Sequence, residues 1–290
     1  MGDTANRQIE AYLDVNLDKL ENFFHSDVIS FYGPLVRGID DLFKHYIEDI
    51  RDNPKSKRRT KHLAVILTTP GGSAEVVERI VGVIRHHYEL VSFIVPDCAY
   101  SAGTILCMSG DNIYMDYYSV LGPIDPQVEN KEGKLVPALG YLDKVKEMIT
   151  KAQNGVLTDA EFLILKDMDL AELRAYEQAQ ELTVDLLKKW LVKYKFKNWN
   201  NHSSSGNPVT DEEKEERAED IAKELGKTSV WRTHARPISL RELRNMKLLI
   251  EDYSNNKTLK TIIDQYYDLL KDYILKRGFR FYFHTRRQKT

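Results

Sequence analysis

The chain has 290 residues, of which 42% are hydrophobic and 30% are charged. This composition indicates a globular protein of one or two domains and excludes a disordered or fibrous chain. With 42 basic and 44 acidic residues the formal net charge is −2, so no overall positive charge attracts nucleic acid or a membrane surface. The two cysteines, Cys98 and Cys107, are too few for a disulfide framework or a cysteine-rich zinc site.

No segment of the sequence predicts a membrane span or a secretion signal. The apolar run Leu63–Leu67 is far shorter than the ~18 residues that a membrane-spanning helix needs. The N-terminal segment, MGDTANRQIEAYLD, lacks the apolar stretch of a signal peptide. We therefore expect a cytoplasmic protein with no transmembrane segment and no nucleic-acid partner.

Hydrophobic periodicity predicts the elements of the N-terminal part. Apolar residues recur at helical spacing over residues 5–24 and again over 39–50, which predicts two amphipathic helices. Residues 27–35 lie between them and predict a strand. The basic run over residues 55–61 is interpreted as a solvated loop.

A regular alternation of strands and helices follows. The continuous apolar run over residues 63–68 is typical of a parallel strand buried on both faces. A helix that starts after Ser73, a strand over 90–95, a helix over 101–108 and a strand over 112–115 come next. This order predicts βαβ units and therefore an α/β fold with a parallel sheet.

The remainder of the chain is predicted to be mostly helical. Thr210 and Glu213 form the sequence pattern of a capping box at the start of one of these helices. The final segment, FRFYFHTRRQKT, alternates aromatic and basic residues and is expected to pack as an edge strand, with binding to an acidic partner as the alternative. The other predicted helices cover residues 139–152, 170–194, 239–250 and 259–276.

Two glycine-containing turns follow consecutive predicted strands, at the edge where α/β sheets bind ligands. Thr69–Gly72 has glycines that allow backbone N–H groups to point outward, and a weaker alternative is a phosphate-binding turn. Tyr100–Gly103 places a serine at a strand-to-helix turn, as a nucleophilic serine requires. The 29 residues between Gly72 and Ser101 fit one βαβ crossover, so we expect the turns to be neighbours. On spacing alone, Ser101 is either a nucleophile or an ordinary helix cap.

Three segments then carry a resemblance to a known family. They are TTPGGSAEVVERI, CAYSAGTILCMSGDNIYMDYYSVLGPIDPQ and WRTHARPI, within residues 68–80, 98–127 and 231–238. The sequence resembles the serine dehydrogenase proteinase family. These are Clp-fold serine peptidases, related to signal peptide peptidase A and to the proteolytic subunit of the Clp protease. The resemblance covers roughly residues 27–250.

The resemblance implies an α/β fold of the ClpP/crotonase type, built from repeated ββα units, with extra N-terminal and C-terminal helices. The expected parts are an N-terminal helical extension over residues 1–26, a peptidase domain over 27–250, and a C-terminal helix with a basic-aromatic tail over 251–290. The implied activity is that of a serine peptidase without cofactor or metal. It would cleave peptide or protein substrates and form a homo-oligomer.

The resemblance also implies the roles of particular residues. Ser101 corresponds to the nucleophile. The backbone N–H groups of Gly71 or Gly72, together with that of Ala102, correspond to the oxyanion hole. Two alternatives in other classes are a non-catalytic oligomeric scaffold of the same fold and a crotonase-like acyl-CoA enzyme that uses the same oxyanion hole.

The general base remains open between three residues. The segment Gly122–Gln127 contains no histidine, where the Clp protease subunit has one. Lys166 suits the topology of signal peptide peptidase A, whose base is a lysine, and Lys151 suits its sequence spacing. A lysine base needs its pKa lowered from about 10.4 toward neutrality by burial or by a nearby cation. His234, in the WRTHARPI stretch, is the third candidate.

Overall fold

The computed structural model describes residues 2–52, 60–124, 127–129, 135–202, 205–227, 231, 233 and 236–286. Its helices are α1 (Gly2–Phe24), α2 (Ile39–Asp52), α3 (Ala74–His87), α4 (Ala102–Met108), α5 (Ala138–Gln153), α6 (Asp159–Lys166), α7 (Leu170–Trp190), α8 (Asp211–Leu225), α9 (Leu240–Asn245) and α10 (Lys257–Arg277). Its strands are β1 (Asp27–Tyr32), β2 (His62–Thr68), β3 (Leu90–Ile94), β4 (Cys98–Ala99), β5 (Asn112–Met115), β6 (Val120–Leu121), β7 (Gln127–Glu129), β8 (Leu135–Pro137), β9 (Ile238–Ser239), β10 (Glu251–Asp252) and β11 (Tyr282–Thr285).

A six-stranded sheet in the order β10-β5-β3-β2-β1-β11 forms the centre of the molecule. Val65 in β2 lies between Ile29 of β1 and Phe93 of β3, and both pairings are parallel. Only β11, at one edge, runs antiparallel to its neighbour. The predicted parallel sheet is therefore confirmed, as is the prediction that the final segment packs as an edge strand.

The alternating side chains of β2 enter two hydrophobic layers, because successive residues of a strand point to opposite faces. Leu63, Val65 and Leu67 pack into the cluster that contains α2, α3 and α4. Ala64 and Ile66 pack into the cluster formed by α1 and α10. The sheet is thus covered by helices on both faces, which explains the continuous apolar run that predicted this strand.

The structure shortens one predicted helix and adds elements that were not predicted. One added element is α6, which contains residues 162–165 and begins at a complete capping box formed by Thr158 and Glu161. The helix predicted over residues 239–250 ends at Asn245, since Lys247 adopts a left-handed conformation with φ of 63°. The β7–β8 hairpin was not predicted.

The sheet takes strands from both sides of the predicted boundary at residue 250. β10 and β11 both follow this residue, and α10 packs against α1. The division into three parts therefore stays a prediction. In the described ranges, no helix combines the length and the apolar character that crossing a bilayer requires.

Candidate active site

The two predicted turns meet through backbone hydrogen bonds. The N–H of Thr69, which follows β2, donates to the carbonyl oxygen of Cys98 at 2.9 Å. The N–H of Tyr100, which follows β4, donates to the carbonyl oxygen of Thr69 at 3.0 Å. These bonds confirm that the turns are neighbours, and they fix the backbone on both sides of the site.

Glycine is required where the turns approach each other. A Cβ atom on Gly71 would lie 2.8 Å from the carbonyl oxygen of Tyr100 and 3.0 Å from Ser101 Cβ, and the residue has φ of 103°. A Cβ atom on Gly72 would lie 2.1 Å from the carbonyl oxygen of Leu35. A larger residue at Gly71 would push the two turns apart, and one at Gly72 would displace the backbone at Leu35.

Ser101 has an uncommon backbone conformation, with φ of 50° and ψ of −115°. Residues other than glycine adopt positive φ at a cost, and such residues cluster at functional sites. Ser101 occupies the N-cap position of α4, yet no N–H of that fully described helix donates to its hydroxyl. Its side chain is therefore not an ordinary helix cap, and Oγ is not committed to α4.

Ser101 lines a small cleft of about 130 Å³ between the starts of α3 and α4 and the middle of α7. Gly72 and Ala102 line the same cleft, and Leu182 and Thr183 of α7 form part of its wall. Ser101 as a whole residue is 7% exposed. The cleft therefore gives the serine access to a ligand while excluding most bulk water.

Two backbone N–H groups at this cleft have no acceptor within the described ranges. The N–H of Gly71 is already used, because it donates to Thr69 Oγ1 at 3.0 Å. The N–H groups of Gly72 and Ala102 make no such bond to the described residues. Of the two predicted glycine donors, Gly72 is thus the one whose N–H remains available for an oxyanion.

A buried threonine that the sequence analysis missed holds this turn in place. Thr104 Oγ1 lies 2.9 Å from the carbonyl oxygen of Ala99 and 2.8 Å from that of Gly122. It also accepts the N–H of Gly122 at 3.0 Å. The available signal was a hydroxyl in an otherwise apolar helix three residues after Ser101, because a buried hydroxyl must find partners.

Neither of the two predicted bases that the structure describes, Lys151 and Lys166, lines the cleft. Lys166 is exposed at the end of α6 and is not among the residues that line the cleft. Lys151 is paired with Glu161 at 2.7 Å and with Glu147 at 3.0 Å, and these carboxylates raise its pKa, opposite to the direction that a base needs. His234 lies outside the described residues.

The remaining reactive groups near the serine are poorly suited to chemistry. Burial, reinforced by the charge of Asp97, raises the pKa of the Cys98 thiol to about 11, so Cys98 is protonated at neutral pH and is a weak nucleophile. Among the described residues, no three His, Cys, Asp or Glu side chains are grouped as metal ligands.

The chain has a mixed α/β fold of the ClpP-like class. It combines a parallel sheet with a strained serine at a strand-to-helix turn, beside a glycine turn. The chain belongs to the family of ClpP-like SDH-type serine proteinases, whose family model matches residues 24–212. The matched range includes both turns of the cleft. The resemblance stated from the sequence is thereby confirmed.

Curated relatives and solved structures were also found. Two uncharacterized proteins of Methanocaldococcus jannaschii are each 28% identical to this chain, over 203 and 204 residues, which is 69% and 70% of its length. The chain spans only 56% and 58% of those relatives. Among solved structures, a mutant of the 1510-N membrane-bound stomatin-specific protease matches at 15% identity and TM-score 0.46, covering 80% of this chain and 82% of that one. A second mutant, in complex with a substrate peptide, matches at 18% identity and TM-score 0.46, covering 80% and 77%.

Proposed function

We propose that this chain is a serine peptidase that cleaves peptide bonds through an acyl-enzyme on Ser101. The observation that carries the proposal is the strained, uncapped Ser101 in a cleft that it shares with the unpaired N–H groups of Gly72 and Ala102. Membership of a serine proteinase family supports the same reaction. The substrates are peptides or proteins, and the reaction requires no cofactor.

The reaction follows from this arrangement. Ser101 Oγ attacks the carbonyl carbon of the scissile bond while its proton passes to a general base. The N–H groups of Gly72 and Ala102 donate to the oxyanion of the tetrahedral intermediate. The intermediate collapses as the C–N bond breaks and the base returns the proton to the leaving amine. Water, deprotonated by the same base, then hydrolyses the ester and releases Ser101.

The general base is proposed from the three candidates named above. Of these, Lys151 is the least suitable, because its two carboxylate partners raise its pKa. Lys166→Arg and His234→Asn distinguish the other two. Arginine retains a positive charge but stays protonated, so it cannot act as a base. The substitution that removes turnover, or moves the acidic limb of the pH profile of kcat/KM, identifies the base.

A serine-reactive fluorophosphonate probe tests the proposal directly. We expect the wild-type chain to be labelled and to hydrolyse unfolded casein, and Ser101→Ala to do neither. Ser254→Ala, in the short turn before α10, serves as the control and should be labelled like wild type. Failure of the wild-type chain to react, or undiminished labelling of Ser101→Ala, would overturn the proposal and favour the scaffold or the crotonase-like alternative.

We also propose a cytoplasmic location. The proposal is supported by Cys98 and Cys107, which are both free thiols in the structure and suit a reducing compartment. Fractionation of cells that express the full chain tests this, and recovery of the chain outside the cytoplasmic fraction would contradict it.

A further inference from the structure

The surface around α6 exposes an unusual concentration of large apolar side chains. Five of the fifteen such side chains exposed in the described ranges lie within residues 156–170. They are Val156 at 63% exposed, Phe162 at 57%, Leu163 at 63%, Ile164 at 57% and Leu170 at 77%. We call this set the α6 surface. Three of them, residues 162–164, are consecutive, and exposed apolar patches mark interaction sites.

Helix α6 has little tertiary packing to stabilise it. None of its eight residues is buried, although helices this short are marginal in water without tertiary packing. Its attachments include the capping box at Thr158 and the ion pair from Lys151 to Glu161. A helix with four consecutive large apolar residues and no buried face is therefore incomplete in a single chain.

Unpaired charges stand at the two ends of the apolar stretch. Asp159, Leu163 and Lys166 follow the spacing i, i+4, i+7, so they lie along one stripe of α6. Asp159 and Lys166 are exposed, and neither is part of an ion pair with the described residues. The stripe thus runs from a negative end through an apolar centre to a positive end.

This charge pattern is self-complementary under a two-fold axis. If two copies of α6 pack antiparallel with the axis between Phe162 and Leu163, Asp159 of each copy faces Lys166 of the other. The same symmetry brings Phe162 of each copy opposite Leu163 of the other. Two-fold interfaces place the same patch on both partners in this way.

We propose that the α6 surface is the contact through which two copies of this chain associate. The chemistry favours this occupant over two others. An unfolded peptide has no fixed spacing of charges that would match Asp159 and Lys166. A membrane surface attracts basic helices, whereas α6 begins with the acidic residues Asp159 and Glu161.

The apolar centre is tested by sedimentation equilibrium of the full chain. We expect wild type to self-associate and Leu163→Asp to weaken the association constant at least tenfold, because a buried apolar contact is replaced by a charge. Leu275→Asp in α10 is the matched control, since Leu275 is also a helical leucine that is 63% exposed. It should associate like wild type. A monomeric wild type, or equal effects of the two substitutions, overturns the proposal.

The charge pattern is tested by two single substitutions and their mixture. Asp159→Lys and Lys166→Asp each turn two attractive contacts into two repulsive ones, so each variant alone should self-associate about tenfold more weakly than wild type. Mixed in equal amounts, they should associate with each other, because every Lys then faces an Asp. If the mixture associates no better than the variants alone, the antiparallel α6 contact is wrong.

This proposal does not require the peptidase activity, although a Lys166 that pairs with Asp159 of another copy would favour His234 as the general base. Association is measured without substrate, whereas the activity is read from probe labelling at Ser101. A chain that associates through α6 but is not labelled would overturn only the proposed function. A labelled chain that stays monomeric would overturn only the α6 contact.

Discussion

Ser101 and Gly71, which lie next to each other where the two turns meet, both have a positive φ. Ser101 has φ of 50° and makes no side-chain cap bond to α4, and Gly71 has φ of 103°, where a Cβ atom would lie 3.0 Å from Ser101 Cβ. Glycine adopts a positive φ without a steric penalty, whereas the positive φ of Ser101 carries a cost that neighbouring hydrogen bonds must offset. The bonds that join Thr69 to Cys98 and Tyr100 do so here.

Substitution of Gly71 by alanine should therefore damage the site and the fold together. The new Cβ would lie 2.8 Å from the carbonyl oxygen of Tyr100, so either the glycine turn or Ser101 must move. We expect fluorophosphonate labelling to slow by about tenfold or more, since misplacement of reacting groups by an ångström costs of that order or more. The free energy of unfolding should fall by about 1–3 kcal/mol, measured in urea.

Gly38→Ala is the control for this experiment. Gly38 also has a positive φ, of 95°, but nothing lies within 4 Å of a Cβ atom built there. It should lose stability through backbone strain alone and keep the labelling rate of wild type. Equal labelling of Gly71→Ala and wild type would show that close approach of the two turns is not needed.

At the scale of secondary structure elements, Asp111 connects strand β3 with helix α3 and with the turn that follows α7. Its carboxylate accepts the N–H of Val91 in β3 at 2.7 Å and pairs with Arg85 of α3 at 2.9 Å. It also pairs with Lys197, beyond the end of α7. Burial by itself raises the pKa of Asp111, but the hydrogen bonds from Lys197 and Val91 and the charge of Arg85 outweigh it and lower the pKa.

Asp111→Asn should consequently reduce stability in a pH-dependent way. Removing the charge leaves the Arg85 guanidinium without its carboxylate partner, with only the carbonyl oxygens of Glu89 and Ser109, among the described residues, to accept its N–H groups. Such losses cost about 3–5 kcal/mol at neutral pH. Because the pKa is lower in the folded than in the unfolded chain, this stabilisation is present above the unfolded value near 3.9 and disappears as pH falls through the folded value. The difference in free energy of unfolding between wild type and variant, measured in urea, should be smaller at pH 3 than at pH 7. A constant difference would mean that the charge of Asp111 contributes nothing.

Across the whole molecule, the two ends of the chain are joined through His284. This residue is 2% exposed in β11. Its Nδ1 lies 2.8 Å from the hydroxyl of Tyr266 in α10, and its Nε2 lies 3.1 Å from Asp14 Oδ1 in α1. Thr285 beside it donates to the carbonyl oxygen of Val28 in β1 at 3.0 Å. The first and last helices therefore stabilise the same edge of the sheet.

His284→Ala should destabilise the molecule by about 2–4 kcal/mol, because it opens a cavity and removes the buried contacts of the imidazole with Tyr266 and Asp14. His45→Ala, on the exposed face of α2, should change the free energy of unfolding by less than about 0.5 kcal/mol. Urea unfolding followed by both far-UV circular dichroism and tyrosine fluorescence measures the loss. Two separate transitions would show that the predicted C-terminal part unfolds on its own.

The sequence by itself determined the elements that depend on near neighbours along the chain. The apolar run of β2 and the capping box at Thr210 identified their elements, because periodicity and caps act within a few residues. The spacing of Gly72 and Ser101 also predicted that their turns meet, since a βαβ crossover has few alternatives.

Only the tertiary structure decided what depends on contacts between distant segments. The sequence carries no sign that Leu182 and Thr183 of α7 form a wall of the cleft at Ser101. It likewise left open whether Gly71 or Gly72 has the available N–H. In the structure the N–H of Gly71 donates to Thr69 Oγ1, which leaves that of Gly72 available. Nor did it show that α6 remains uncovered in a single chain. The physical reason is that local patterns fix which face of a helix is apolar, whereas the packing of the whole chain fixes what that face meets.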